Sequence, residues 1–367
     1  MEGGGRGRER DKEDGAAATV IAVEDTSAAT KDATAVNTKP TRRYPLASWI
    51  AILVLIMLVG MYIFSLSLKQ NGMLFGLMQT IMIEKERENP CHDPSIPDTE
   101  IPYVHYPTPT TYQRKECACT AVRFFAILSM QRSGSGWFET FLNSHENISS
   151  HGEIFSVKER RSNITSIKKT LDRLYNLDWF SSSVKNECTA AVGLKWMLNQ
   201  GLLKHYQEIV EYFNRRGVSV IFLLRRNLLQ RYVSVLANAY DSAKKQINGT
   251  HKSHVKKREE AAVLAQYKPT IDKKSLISEL KRSDKMAADG LVKFKNTRHI
   301  VLYYEDVVSN RTKLMDVQDF LKLPKKNLSS RQVKIHTKRL HDHINNWEDV
   351  HNALKGTKFE SFLNGRR

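Results

Sequence analysis

The sequence has only four cysteines, Cys91, Cys117, Cys119 and Cys188, with no Cys-x₂-Cys pair and no matching histidine spacing. That disfavours a structural zinc site. It also lacks a GxxxxGK[ST] segment. The Lys and Ser/Thr with which nucleotide hydrolases hold β/γ-phosphate and Mg²⁺ are therefore missing. Acidic residues are scarce, 39 Asp and Glu against 57 Lys and Arg, giving a formal charge of +18. The basic runs have little aromatic interleaving and no reader motif, which argues against nucleic acid as a partner. Aromatics are almost absent from residues 1–43, a Gly-rich and Ala/Thr-rich segment with eight basic and eight acidic side chains. Such a segment buries no core and reads as disordered.

Charge is absent from Tyr44 to Leu68, 25 residues that include WIAILVLIMLVGMYIF. About 20 apolar residues span a bilayer, and this run lies too far in for a signal-peptide core. Lys39, Arg42 and Arg43 precede it, whereas Lys69 stands alone before the mixed run 84–88. The positive-inside rule then keeps the tail in the cytosol. The expected organisation is a disordered cytosolic tail (1–43), one transmembrane anchor (44–68), a stem (69–120) and a folded domain (121–367) beyond the membrane. Pro and Thr between Pro90 and Tyr112 make regular packing of the stem unexpected. Sequons at Asn147, Asn163, Asn248, Asn310 and Asn327 agree with that side of the membrane. A glycan on Asn147 would crowd the loop-helix region. All four cysteines follow the anchor. Cys117 and Cys119 are poorly placed to pair with each other, so Cys91 and Cys188 are their favoured partners, and the sequence does not choose between the two arrangements.

Within the last segment strands and helices alternate. Strands are expected at 123–129, 148–152, 190–195, 218–224 and 299–303. Helices are expected at 136–145, 163–177, 202–215, 227–240, 273–294 and 309–322, with a polar basic insertion at 241–268. Alternation of this kind implies an α/β fold, a parallel sheet covered by helices on both faces in three layers. The apolar run Phe124 to Leu128 ends in Gln131-Arg132-Ser133-Gly134-Ser135-Gly136, and a helix pattern begins at Trp137. A strand, a glycine loop and a helix N-terminus together hold anions, because loop N–H groups converge and the helix dipole adds positive potential. The continuous run Val218 to Leu224 feeds a second basic turn, Arg225-Arg226-Asn227, with Ser234 eight residues after Arg226. Arg offers a planar, always-charged fork to phosphate oxygens.

Arg132-Ser133-Gly134-Ser135-Gly136-Trp137 resembles the 5′-phosphosulfate loop of sulfotransferases that use 3′-phosphoadenosine 5′-phosphosulfate (PAPS), with Arg where many members have Lys. Arg226 and Ser234 resemble that family's 3′-phosphate pair. The Gly-Glu after the loop helix and the Gly-Leu-Lys-Trp strand are similar to nodulation-factor-type carbohydrate sulfotransferases, and the anchored layout to plant membrane-bound ones. The resemblance covers about 121–365. It implies a P-loop NTPase-like sulfotransferase fold, PAPS as co-substrate, no required metal, and a carbohydrate hydroxyl as acceptor in the Golgi lumen. It also implies Glu153 as general base, Arg132 and Lys195 at the reacting group, Ser133, Gly134, Ser135, Gly136 and Trp137 around the donor, and Lys338 and Arg339 closing the nucleotide site. His151 and His145 are rival bases, and Glu153 ion-paired to Arg132 or Lys195 is the structural alternative. Lys244 to Arg298, fifteen basic residues against six acidic, would hold a polyanion such as PAPS or an acidic acceptor. Glu305 and Asp306 are expected to cap a helix or pair with basic residues. Two other functions stay open: a nucleotide kinase or hydrolase of related fold, and a membrane-tethered protein that binds acidic glycans without catalysis. Tyrosine or a small molecule also remains open as acceptor.

Overall fold

The computed structural model describes residues 46–87, 91, 93–185 and 188–364. The expected disordered tail, 1–43, lies outside the described residues. The chain divides into two compact units, Met1–Lys69 and Gln70–Arg367. The first helix, α1 (Leu46–Arg87), runs through the uncharged segment. Among the described residues no helix is long and apolar enough to cross a membrane.

The second unit is built on β1 (Arg123–Ser129), α2 (Ser135–Leu142), β2 (Ile148–Ser150), α3 (Ile164–Tyr175), β3 (Ala191–Met197), α4 (Tyr206–Arg215), β4 (Val218–Leu224) and α5 (Leu228–Lys244). Then follow α6 (Arg258–Leu264), α7 (Lys273–Lys293), β5 (His299–Tyr303), α8 (Tyr304–Ser309), α9 (Thr312–Phe320) and α10 (Trp347–Leu354). The five strands are all parallel and lie in the order β2-β3-β1-β4-β5. The expected α/β architecture is thus present. The helix expected at 309–322 is α9, and a separate short helix, α8, precedes it, ended by the extended backbone of Asn310.

Alternation along the strands sends side chains to two cores. Phe124, Ala126 and Leu128 of β1 pack with Val192, Leu194 and Trp196 of β3 beneath residues of α3, α4, α7 and α10. Phe125 and Ile127 turn the other way, onto Phe138, Phe141 and Leu142 of α2 and Leu314 and Val317 of α9. β1, β3 and β4 are buried along their whole length, which explains their largely apolar sequences; Lys195 in β3 and Ser219 in β4 are among the buried polar exceptions. The two edges are a three-residue strand, β2, and a strand with Val301 37% exposed, β5. Short and partly polar edges of this kind discourage further strand pairing.

The segment expected as a stem is packed against this domain from residue 101 onward. Ile101 and Val104 are buried, and His105 makes an antiparallel bridge to Val122. Asp178 accepts four bonds from the backbone and hydroxyls of Thr110 and Thr111. Glu100 pairs with Arg123 at the foot of β1 and Arg298 at the foot of β5. Buried apolar side chains and a shared carboxylate hold the Pro/Thr-rich stretch without regular secondary structure. The disulfides are Cys91–Cys119 and Cys117–Cys188, one of the two arrangements left open. Asn147 opens β2 at the foot of the sheet and donates through its side chain to the Cys188 carbonyl. A glycan there would sit at the end opposite Glu153, contrary to the expected crowding.

Candidate functional site

In an open parallel sheet, ligands bind beyond the C-terminal strand ends, where the strand order reverses. β1 lies between β3 and β4, so the reversal falls at the turn after β1, the glycine loop. A cavity of about 550 Å³ opens there, inside the range of small-molecule sites. Arg132, Gly134, Ser135, Gly136 and Trp137 line it after β1. Glu153 enters after β2, Lys195 and Met197 from the end of β3, Arg225 after β4 and Tyr304 after β5. Every strand of the sheet therefore delivers a residue to one space.

The loop is shaped by positive φ angles at Arg132 (65°) and Gly134 (83°). α2 begins at Gly134 without a side-chain cap. The first N–H groups of a helix have no intrahelical acceptor, and Ser135, Gly136 and Trp137, which carry them, line the cavity. Ser133 is fully buried, and its hydroxyl has no hydrogen-bond partner. A Cβ at Gly134 would lie 2.2 Å from Cδ2 of Tyr304. Gly134→Ala therefore combines about 1–2 kcal/mol of left-handed strain with an overpacking cost of about 1–3 kcal/mol. Its thermal unfolding midpoint should drop by several degrees, and adding Tyr304→Ala should recover part of the drop.

On one side of the loop stands a carboxylate–lysine cluster. Lys195, 6% exposed, places Nζ 3.4 Å from Glu153 Oε1 and 3.2 Å from Glu139 Oε2. The other Glu153 oxygen accepts from Gln200 Nε2 at 3.0 Å. Glu153 thus meets Lys195, one of the two partners named in the structural alternative, while still lining the cavity. His151 does not line it. Its Nδ1 meets Ser181 Oγ at 2.8 Å, and burial lowers its pKa to about 4. His145, almost fully buried, lies between the Asn147 N–H and the Pro324 carbonyl.

On the other side the expected pairing changes. Arg226 is solvent-exposed, ion-paired to Asp306 at 2.7 Å and stacked on Tyr303. It lines neither this cavity nor the chamber beside it. The preceding residue, Arg225, turns inward instead. Its Nη1 donates to the Arg132 carbonyl at 3.3 Å, its Nη2 to Gln230, and its guanidinium lies over the Tyr304 ring. Glu305 fixes the turn by accepting from the N–H groups of Arg226 and Asn227. Glu305 and Asp306 therefore have the structural roles expected of them.

Arg132 also differs from expectation. Its guanidinium reaches away from Glu153 and donates to Ser234 Oγ (2.9 Å), Asn238 Oδ1 and the Ser253 carbonyl (2.8 Å). Burial, and secondarily Arg225, lower its pKa to about 10, so it stays cationic at neutral pH. A smaller chamber of about 70 Å³ adjoins the cavity and shares Arg225, Ser234, Lys334 and His336 with it; Lys338, Arg339 and His343 also line it. Burial, then His343, Arg132, Arg225 and Lys334, hold the His336 imidazole down to about 3. His336 Nδ1 and His343 Nε2 are buried without hydrogen-bond partners. From the basic insertion, Ser253 and His254 reach the cavity wall. Partial removal from water, with the charges of Arg132 and Lys195, lowers His254 to about 4.

Glu139, Gln200, Arg225, His254, Tyr304 and His336 were not foreseen from the sequence. Arg225 carried a signal, a second arginine at the strand end, whereas the others arrive by tertiary packing. Among the described residues no group of three or more His, Cys, Asp or Glu side chains is arranged to hold a metal ion.

No family model matches the chain, and no curated protein matches it. Solved structures similar to it include the sulfotransferase from Alicyclobacillus acidocaldarius, 11% identical, covering 66% of this chain and 96% of that one with a TM-score of 0.35. A mouse sulfotransferase complexed with PAP is 12% identical, covering 65% and 74%, with a TM-score of 0.33. The sulfotransferase domain from the curacin biosynthetic pathway is 17% identical, covering 66% and 89%, with a TM-score of 0.31. Likeness at this level carries no argument about the chain, whose α/β class rests on its own sheet.

Proposed function

We propose that the chain is a sulfotransferase that moves a sulfuryl group from PAPS to a hydroxyl of a carbohydrate, acidic carbohydrates included, in the Golgi lumen. One observation carries the reading. A single cavity joins the glycine loop to a carboxylate–lysine cluster at one end and, through Arg225 and Ser234, to a cationic chamber at the other. An adenylate with an anion at each end needs two such ends. The chamber supplies the second with Arg225, Ser234, Lys334, Lys338 and Arg339, and with imidazole nitrogens that lack a protein partner.

PAPS supplies an activated sulfur–oxygen bond, and the chain's residues do the rest. Glu153 accepts the proton of the acceptor hydroxyl as that oxygen bonds to sulfur. Lys195 and the loop N–H groups face the charge that gathers on the sulfuryl oxygens and on the departing 5′-phosphate, which keeps the electron pair of the broken bond. Arg225 and Ser234 hold the 3′-phosphate, in place of the Arg226 and Ser234 pair that the family pattern implies. Arg132 lies between the two ends and must release Ser234 for the nucleotide to enter.

The anchor and Golgi placement belong to the same reading. They are supported by the uncharged run and by the exposure of its described side chains all around the helix, from Ile50 to Leu66. The test uses the full-length chain in detergent. 3′-Phosphoadenosine 5′-phosphate (PAP) should raise its thermal midpoint where ATP does not, and labelled PAPS should transfer sulfate to a glycan fraction. Protection by ATP alone would favour the kinase reading, and PAP binding without transfer to any acceptor would leave only a glycan- or nucleotide-binding protein.

A further inference from the structure

We infer that Glu139 is a positioning residue for the reaction, holding Lys195 and the Glu153 segment in working geometry without touching either substrate. The inference rests on Glu153 being the base of the proposed sulfuryl transfer. Glu139 lies in the first helix after the glycine loop and is 8% exposed. Its Oε1 accepts from Ser150 Oγ at 2.7 Å and from the N–H of Gly152 at 2.8 Å. Its Oε2 meets Lys195 Nζ at 3.2 Å. One carboxylate therefore ties α2 to the end of β2, to the residue before Glu153, and to the end of β3. Gly152 has a φ of +73°, so the turn that aims Glu153 is one that only this kind of residue adopts cheaply.

The geometry has a chemical consequence at Glu153. Both of its oxygens already have neighbours, Lys195 at 3.4 Å and Gln200 at 3.0 Å. Glu139 is the shorter of the two contacts to Lys195 and shares the ammonium, leaving the Glu153 oxygen less engaged. Without the Glu139 charge, the ammonium has a single carboxylate to close on. The oxygen that must take the hydroxyl proton is then occupied, and the Gly152 turn loses an acceptor. Displacements of about 1 Å in reacting groups cost on the order of 10²-fold in rate. A buried polar group serving packing alone would not need to bridge all three elements at the reacting edge.

The test is a steady-state comparison of the full-length wild-type chain with Glu139→Gln, Glu139→Asp and Ser150→Ala, using labelled PAPS and any accepted glycan. Glu139→Gln keeps the amide oxygen for Gly152 and Ser150 but removes the charge. It should lower kcat about 10- to 100-fold while the KM for PAPS and the affinity for PAP stay within about twofold. Glu139→Asp, which restores the charge, should regain most of the rate. Ser150→Ala removes one of the two donors to Glu139 Oε1 but leaves the Lys195 contact, so it should lower kcat less than Glu139→Gln; a loss as large as that of Glu139→Gln would overturn the role of the charge. Wild-type kcat in Glu139→Gln, or parallel losses of kcat, PAP affinity and thermal midpoint that Asp does not rescue, would overturn the inference. Should Glu139→Gln not fold, the shorter pair Glu139→Asn and Glu139→Asp is compared instead: a kcat lower in Asn than in Asp with the KM for PAPS kept supports the role, and equal kcat in the two removes it. Glu153→Gln is run alongside. Activity in that chain sinks the base assignment, whereas an inactive Glu153→Gln beside a fully active Glu139→Gln sinks only the role of Glu139.

Discussion

Glu153→Gln yields a chain that binds PAP as tightly as wild type and transfers no measurable sulfate. The substitution keeps size and can still meet Gln200, so the cavity should hold its shape. What is lost is the only proton acceptor of the carboxylate–lysine cluster that lines the cavity, Glu139 being committed to Ser150 and the Gly152 N–H. A positioned base contributes about 10²–10⁴-fold to such a step, and the activated acceptor geometry adds to it. The chamber proposed for the 3′-phosphate is built from other elements, so nucleotide affinity has no reason to change. Calorimetric titration with PAP beside a labelled-sulfate assay measures both. Equal loss of binding and turnover would make Glu153 a structural partner of Lys195.

Arg225→Ala should weaken PAP binding by roughly 30- to 1000-fold, the range of about 2–4 kcal/mol for removing one member of a buried charge–charge contact. Burial lowers the pKa of this guanidinium, but an arginine remains charged through such shifts. It has little surrounding water to lose when an anion arrives. Arg225→Lys should recover only part of the affinity, because a lysine cannot reproduce the planar fork that meets Gln230 and the Arg132 carbonyl together. AMP, which lacks the 3′-phosphate, should bind the mutant and wild type alike. Arg226→Ala should stay within about twofold, since its side chain faces solvent and Asp306. The reverse pattern, loss with Arg226 and none with Arg225, would restore the family pairing and remove the chamber as the 3′-phosphate site.

These two experiments mark where the sequence could be read and where it could not. Val218 to Leu224 is apolar at every position but Ser219 because β4 is covered on both faces, so its limits were legible to the residue. The glycine loop was legible because a sharp turn between a buried strand and a helix demands small residues. Which of two adjacent arginines turns inward was not legible. That choice is made by Glu305, 79 residues later in the chain, which captures the N–H groups of Arg226 and Asn227. Glu139 was hidden for a similar reason. On the helix pattern it reads as a polar residue among aromatics, and only the register of Lys195 opposite Ile127 brings an ammonium to it. The basic insertion was recognisable by composition, but its entry into the cavity through Ser253 and His254 depends on a tether to Arg132 that no local pattern encodes.

The foot of the sheet has its own consequence. Glu100 draws together the starts of β1 and β5, while Cys91 and Cys117 fasten the same stretch to Cys119 and Cys188. Durability is thus concentrated at the foot of the sheet, the end opposite the cavity. A chain trimmed to begin at residue 121 would keep every cavity-lining side chain yet lose this girdle, together with the lids that Ile101 and Val104 place over apolar surface. Anyone seeking a soluble form for assay should cut before Cys91.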